Sequence, residues 1–298
     1  MPRTPPHVTG AVETARIVGF GLLAIATLSA ATCNHSGPEQ YDPQIFAWTG
    51  ELRSPALVNV RSINGAIDLK PSTDDTLRVT ASARWHRGNP KTDLKFDIAT
   101  EGSNVTICVL WNRRPCSAAQ GGTRSSFWTH LGQTRSTDAN VTLTVYVPAR
   151  VKVDARTING DVNVAATAPV KAKTLNGTIR VATAIGPVDA ETMNGSIDIR
   201  MTTLGEDGPV RAITVNGSAS AYLPESLDAM VSLSSINGRI GSDYSVSVQG
   251  VSTPAKRLAG PVGAGGREVK VSTVNGSAWL HRLHADGTIA EAAATARP

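Results

Sequence analysis

Seven times the chain writes one short phrase: Ser or Thr, then an aliphatic residue or Met, then Asn-Gly. The copies fall at Asn64-Gly65, Asn159-Gly160, Asn176-Gly177, Asn194-Gly195, Asn216-Gly217, Asn237-Gly238 and Asn275-Gly276. Six residues before every one of these asparagines stands a valine, namely Val58, Val153, Val170, Val188, Val210, Val231 and Val269. A residue held at one offset through all the copies means that the segments occupy equivalent environments, the mark of a repeat architecture.

The parity inside one phrase says what the unit is. Around Asn176, Val170, Ala172 and Thr174 share one face, and Ile179 and Val181 resume it, whereas Lys171, Lys173, Thr178 and Arg180 point the other way. Around Asn194 the same split sets Val188, Ala190, Thr192, Ile197 and Ile199 against Asp189, Glu191, Ser196 and Asp198. Period-two alternation reads as strand. Each phrase therefore supplies two short strands with one buried face, and Asn-Gly, which tolerates positive φ, marks the change of direction.

Two architectures meet that parity. Asn-Gly between alternating apolar residues is a strong hairpin signal, so an antiparallel meander is the alternative. A parallel β-solenoid makes Asn-Gly a corner and stacks like offsets about 4.8 Å apart. Charge favours the solenoid: Lys171, Lys173 and Arg180 match Asp189, Glu191 and Asp198 at the same three offsets of the next repeat, pairs that form only between neighbours. Stacked Asn side chains that bond from coil to coil, and a hydroxyl stack of Thr157, Thr174, Thr192, Thr214 and Thr273, follow from that choice.

With 298 residues rich in Val, Thr, Ile, Ser and Gly, the chain is long enough for a substantial all-β core. Its first 32 residues read as a signal peptide, with a basic lead carrying Arg3 and Arg16 and then an uncharged run, Ile17 to Ala31. Fifteen residues fall short of the roughly 20 that cross a bilayer. Ala30-Ala31-Thr32-Cys33 resembles a bacterial lipoprotein signal, which makes Cys33 the candidate lipidation site and the membrane a partner through that anchor; cleavage after Ala31 is the alternative. Cys108 and Cys116 are close enough in sequence to form a disulfide in an oxidising compartment, leaving Cys33 for the lipid.

Beyond residue 32 there are 27 Lys plus Arg against 23 Asp plus Glu, and aromatics are only 4% of the chain. That mild excess, without basic runs or stacking rings, excludes the nucleic-acid-binding class and allows weak attraction to an anionic envelope polymer. Residues 33–50 read as a tether with Gly37, Pro38 and Pro43, and residues 51–284 as the repeat domain. Within it, residues 71–151 lack the phrase and form a degenerate or inserted β region with a long polar loop at 117–140. Successive asparagines from Asn159 to Asn237 lie 17, 18, 22 and 21 residues apart, and Asn275 follows after 38. The widened gap holds Gly260 to Gly266, read as a loop bulging from one turn, and residues 285–298 as a flexible tail.

The phrases Thr157 to Val164, Thr174 to Val181 and Thr192 to Ile199, with the lead-in Val141 to Pro148, resemble a bacterial family of β-strand repeats known as "putative adhesins" and catalogued as a domain of unknown function. The phrase is also similar to that of the GIN autotransporter-adhesin head. The resemblance implies a right-handed parallel β-helix in the cell envelope, with adhesion or binding of a protein or polymer as its role. It brings no catalytic residue. Ala219 and Ala278, where Ile or Val is usual, and the 38-residue gap depart from the pattern.

A search for chemistry returns little. His281 and His284 sit on a strand, where an i, i+3 pair faces opposite ways, so they are not read as a metal site. Asp74-Asp75 reads as a turn rather than a paired catalytic carboxylate. The sequence has no nucleophile elbow, phosphate-binding Gly-Lys loop or His-Glu-x-x-His pattern. The expectation is a non-enzymatic protein without metal or cofactor. A β-helical carbohydrate-active enzyme and a self-stacking structural module are the alternatives.

Overall fold

The computed structural model describes residues 38–52, 56–111, 137–166, 169–183, 185–205, 208–246 and 256–284. The signal peptide, Cys33, Cys116, the loop 117–140 up to residue 136 and the tail 285–298 lie outside the described residues.

The strands before the Asn-Gly steps are β2 (Leu57–Arg61), β8 (Lys152–Arg156), β10 (Val170–Lys173), β12 (Val188–Glu191), β14 (Val210–Ile213), β16 (Ala229–Asn237) and β19 (Arg267–Asn275). Those after it are β3 (Ile67–Pro71), β9 (Val162–Ala166), β11 (Ile179–Thr183), β13 (Ile197–Met201), β15 (Ala219–Pro224), β17 (Ile240–Ser242) and β20 (Ala278–Leu283). The two groups belong to different ten-stranded sheets: the later strands to a first sheet, the earlier ones to a second. Each Asn-Gly step thus carries the chain from the second sheet to the first.

Within each sheet, like offsets are neighbours. Val170 lies beside Val188 and Val153, and Lys171 beside Asp189 in parallel β10, β12 and β8. Ile179 lies beside Ile197 and Val162 in β11, β13 and β9. The inward residues form continuous columns: all seven valines are buried, and Ile67, Ile179 and Ile197 are wholly so. Burying such aliphatic side chains contributes about 1.5–3 kcal/mol each, and the alternation along every strand places them on the inner face.

The order of the columns departs from chain order at one end. In the second sheet β19 lies between β14 and β16, and in the first β20 lies between β15 and β17. The seventh repeat is thus inserted between the fifth and the sixth. The chain makes room by running outward through β16 and returning through β18 (Lys256–Val262), antiparallel to β16, before entering β19. Gly260, Pro261 and Val262 are therefore strand residues, and the expected loop shrinks to the turn at 263–266.

The other end is built alike. After β3 the chain forms β4 (Thr76–Trp85), the short helix α1 (Pro90–Asp93), β5 (Lys95–Glu101), β6 (Asn104–Leu110) and β7 (Asn140–Val147). Here β6 lies parallel to β2, and β7 enters between β3 and β4. The region without the phrase thus adds one more layer to the same stack, with Val105 beside Val58. Residues 40–50 of the expected tether are strand instead: β1 (Gln40–Glu51) pairs antiparallel with β4 as the edge of the first sheet. Antiparallel pairing, which the meander requires, joins β1 to β4, β4 to β7, β5 to β6 and β16 to β18. The strands β8 to β15 pair only in parallel.

Candidate binding surface

The repeated phrase is explained residue by residue at the step between the sheets. Each Asn side chain donates to the Asn of the adjacent layer: Asn176 Nδ2 to Asn159 Oδ1 at 2.7 Å, Asn194 to Asn176 at 2.8 Å, Asn216 to Asn194 at 2.8 Å, Asn275 to Asn216 at 2.7 Å and Asn237 to Asn275 at 2.8 Å. The buried Thr or Ser two residues earlier donates to a glycine carbonyl: Thr174 to Gly160, Thr192 to Gly177, Thr214 to Gly195, Thr273 to Gly217 and Ser235 to Gly276. Glycine is required because the layers touch there. A Cβ on Gly177 would lie 2.0 Å from the carbonyl oxygen of Gly160, and one on Gly195 2.0 Å from that of Gly177. Each such hydrogen bond adds a net ~0.5–1.5 kcal/mol. The set is internal mortar between layers.

On the outer face of the second sheet several charges meet a partner from the same sheet. Lys171 Nζ lies 3.8 Å from Asp189, Lys173 bonds Glu191, and Arg211 lies 2.6 Å from Glu268. Asp154 sits between Arg61 at 3.1 Å and Arg156 at 2.7 Å. Burial pushes the Arg61 guanidinium down, while the Asp154 charge opposes that shift; the bond from Glu268 raises that of Arg211.

On the outer face of the first sheet the arrangement differs. The sixth residue after each Asn forms one row across the strands: Lys70 on β3, Ala165 on β9, Ala182 on β11, Arg200 on β13, Tyr222 on β15 and His281 on β20. Tyr146 of β7 continues it beyond Lys70. Lys70 Nζ lies 5.9 Å from the centroid of the Tyr146 ring, and the Arg200 guanidinium carbon 4.7 Å from that of Tyr222. Neither cation meets a carboxylate among the described residues. Between them the two alanines floor a depression of ≈ 570 Å³, whose lower wall is the fourth residue after each Asn: Asp68, Asn163, Arg180 and Asp198.

That lower row holds a correction. Arg180 stands beside Asp198 in register but turns to Asp161 at 3.1 Å and Asn163 at 3.3 Å, so the third expected ion pair does not form. Asp161 sits one layer back with its other oxygen on the Thr178 amide at 2.8 Å, a site that already holds a negative charge in place for the guanidinium. Asn163 in turn donates to Asp68 at 2.7 Å. Asp198 has no side-chain partner among the described residues. Asp68 and Asp198 stand three strand spacings apart, roughly 14 Å, well beyond the ~5–9.5 Å that separates the carboxylates of glycosidases.

Beyond Arg200 the row ends in an aromatic cluster. Tyr222 and His281 have ring centroids 4.7 Å apart, Trp279 and His281 5.7 Å, and His281 Nδ1 meets Asp243 at 3.2 Å. Trp279 covers Gly241, where a Cβ would fall 2.0 Å from the indole. His284, just past β20, is 4.0 Å from Glu225. Asp74 forms the turn before β4, accepting from Arg78, Ser72 and the Thr76 amide, and the Arg78 guanidinium is the main reason its carboxyl is held down at about 2.

Of the residues singled out in the sequence, the asparagines and glycines come together as one ladder. Gly238 is the exception among the glycines, since it does not take the positive φ of Gly65, Gly160, Gly177, Gly195, Gly217 and Gly276. Cys108 is disulfide-bonded and Cys116 lies outside the described residues. Among the described residues no helix is long and apolar enough to cross a membrane. The Lys70 to His281 row escaped the sequence reading, although reading every copy at the sixth place after Asn would have assembled all of it except Tyr146.

The chain matches the family described as Toastrack DUF4097 over residues 90–279 and belongs to it, in line with the resemblance carried by the repeat phrase. No curated protein matches the sequence. Similar solved structures include a "putative cell adhesion protein" from Clostridium sporogenes at 7% identity, covering 80% of this chain and 99% of that one with a TM-score of 0.44. A "putative adhesin" from Bacteroides fragilis aligns at 10% identity over 80% and 96% of the two chains with a TM-score of 0.29. One from Parabacteroides distasonis aligns at 9% over 82% and 97%, with a TM-score of 0.24.

Proposed function

We propose that this Toastrack-family chain is an exported, non-enzymatic envelope protein that winds as a right-handed parallel β-solenoid with Asn-Gly corners and presents a fixed outer surface for adhesion or partner binding. The observation that carries the reading is the first sheet's outer face, where Lys70, Arg200 and Asp198 stand in register around an alanine floor with no ionic partner among the described residues. Charges that do not neutralise one another on a rigid lattice are what a binding face requires. Parallel pairing of like offsets supports the winding. The uncharged run Ile17 to Ala31 followed by Cys33 supports export and lipid anchoring, and a Cys108–Cys116 bond suits an oxidising compartment.

The test is capture. Beads carrying the folded chain from Cys33 onward should retain bacterial envelope fractions or host surface material above the level of beads carrying the heat-unfolded chain. Equal retention by both would remove the adhesion reading. Mass spectrometry of the mature N-terminus addresses anchoring separately, since a chain starting at diacylglyceryl Cys33 and one starting at free Thr32 differ by the lipid gained and the threonine residue lost.

A further inference from the structure

We propose that the alanine-floored depression on the first sheet binds a uronate-containing glycan, Lys70 and Arg200 taking its carboxylates and Asp68, Asn163 and Asp198 its hydroxyls. This rests on the display reading above and names the ligand class of that face.

The geometry sets two demands on an occupant. Along the upper row the cations stand three strands apart, and each is steadied by a tyrosine ring at 5.9 or 4.7 Å. A guanidinium stacked on a ring keeps its in-plane N–H groups free to fork onto a carboxylate, and here no protein carboxylate takes them. The occupant must therefore carry anionic groups along one edge. Along the lower row Asp198 offers an unclaimed carboxylate and the Asp68–Asn163 pair further acceptors, so the other edge must carry hydrogen-bond donors.

The two rows are residues i and i+2 of the same strands, about 6.6 Å apart. A uronate ring has that layout, with its carboxylate on one side and a vicinal diol on the other, and its C–H face suits Ala165 and Ala182. An acidic peptide would satisfy the cations, but it offers Asp198 single amide N–H groups spaced along its backbone rather than the two adjacent donors of a vicinal diol. Strands repeat every ~4.8 Å across the floor, comparable to one pyranose, so successive sugars of a linear chain meet successive strands. The depression, ≈ 570 Å³, is within the 300–1,000 Å³ typical of ligand sites and open along its length, as a polymer requires.

The probe is a defined oligogalacturonate titrated into the folded chain by calorimetry. It should bind, and the Lys70→Gln/Arg200→Gln double variant should lose at least tenfold in affinity. The fully methyl-esterified oligomer should not bind measurably, and polyglutamate of equal charge should bind at least tenfold more weakly. Asp198→Asn should weaken the uronate severalfold, whereas polyglutamate, relieved of a like charge, should bind no more weakly than before. All these side chains are on the surface, so the variants retain the wild-type denaturant midpoint.

Three outcomes would overturn the proposal: undiminished binding by the double variant, equal binding of the methyl ester, or polyglutamate matching the uronate. Failure here is distinguishable from failure of the display reading. Beads of the double variant that still capture envelope material leave adhesion standing on another surface. Oligogalacturonate binding without bead capture would keep the glycan site and remove adhesion.

Discussion

On the second sheet Lys171 stands beside Asp189 and Lys173 beside Glu191; on the first, Lys70 and Arg200 stand apart with two alanines between them. Both faces are laid on the same lattice of parallel strands. On one, Lys171 and Lys173 meet Asp189 and Glu191 of the next layer, which fixes register at little gain in stability, since each exposed pair adds only ~0–1 kcal/mol. On the other, Arg180 pairs with Asp161, but Lys70 and Arg200 stand three strands apart and meet no carboxylate among the described residues.

The comparison presupposes that layers lie in fixed register, and the largest expected effect comes from breaking that. Gly177→Ala puts a methyl 2.0 Å from the Gly160 carbonyl oxygen, against backbone of the preceding layer with nothing flexible to yield. A loss of more than about 4 kcal/mol is expected by urea unfolding. Gly102→Ala is the control: its φ is 61° but nothing lies within 4 Å, so only the left-handed strain of about 1–2 kcal/mol applies. Equal losses at the two sites would mean that close stacking is not what the repeated glycine serves.

A smaller effect separates the interior of the ladder from its end. Thr192→Val removes the bond to the Gly177 carbonyl and leaves that buried acceptor unpaired, for an expected cost of about 1–3 kcal/mol. Ser62 occupies the same offset in the first repeat but faces the β6–β7 layer, which lacks Asn-Gly, and its buried hydroxyl has no partner among the described residues. Ser62→Ala should therefore be neutral or stabilising by up to about 1 kcal/mol. The two denaturant midpoints should move apart; a matching drop would show that the hydroxyl stack does not depend on the layer beneath.

The faces themselves separate at the next level. Lys173→Glu should cost less than about 1 kcal/mol and be recovered by adding Glu191→Lys, whereas Lys70→Gln should leave stability unchanged. A double-mutant cycle on the first pair and the single midpoint on the second give the contrast directly.

Much of this was legible before any coordinates. The valine offset located every repeated strand, and the charge match between successive repeats anticipated Lys171 beside Asp189. What the sequence hid was order. Every phrase carries the same valine, so nothing in Val231 or Val269 tells which lies against Val210, and adjacency in the chain suggests the wrong one. The hairpin of β16 and β18 decides it, because its returning strand takes the outer edge and leaves the inner side of β16 for β19. The β6–β7 layer was obscured for the complementary reason: it has the inward alternation but no Asn-Gly to mark it. Arg180 escaped a pairing rule that weighed charge alone, since Asp161 and Asn163 of the previous layer offer it two acceptors where Asp198 offers one side chain.

The smallest effect concerns acid, and it distinguishes the edge from the middle of the same sheet. Three carboxylates near β1 and β4 are held below their ordinary range: Asp74 at about 2 mainly by Arg78, Asp42 mainly by Lys91, and Asp138 by the amides of Arg87 and His86 against the opposing effect of burial. A carboxylate depressed in the folded state contributes stability that is present above its unfolded pKa near 4 and is lost as pH falls through the folded value. Between pH 4 and about 2, then, the β1–β4 edge should weaken while the β10 to β13 layers, held by Asn and Thr ladders that do not titrate, keep their protection. Hydrogen exchange at a series of acid pH values should show amides of Phe46 to Gly50 opening before those of Ile179 to Val181. Asp74→Asn should flatten that pH dependence at the edge and change nothing in the middle. Simultaneous opening of both regions would mean that the edge and the central layers unfold as one cooperative unit, and that the charged surface of the first sheet is lost along with its border.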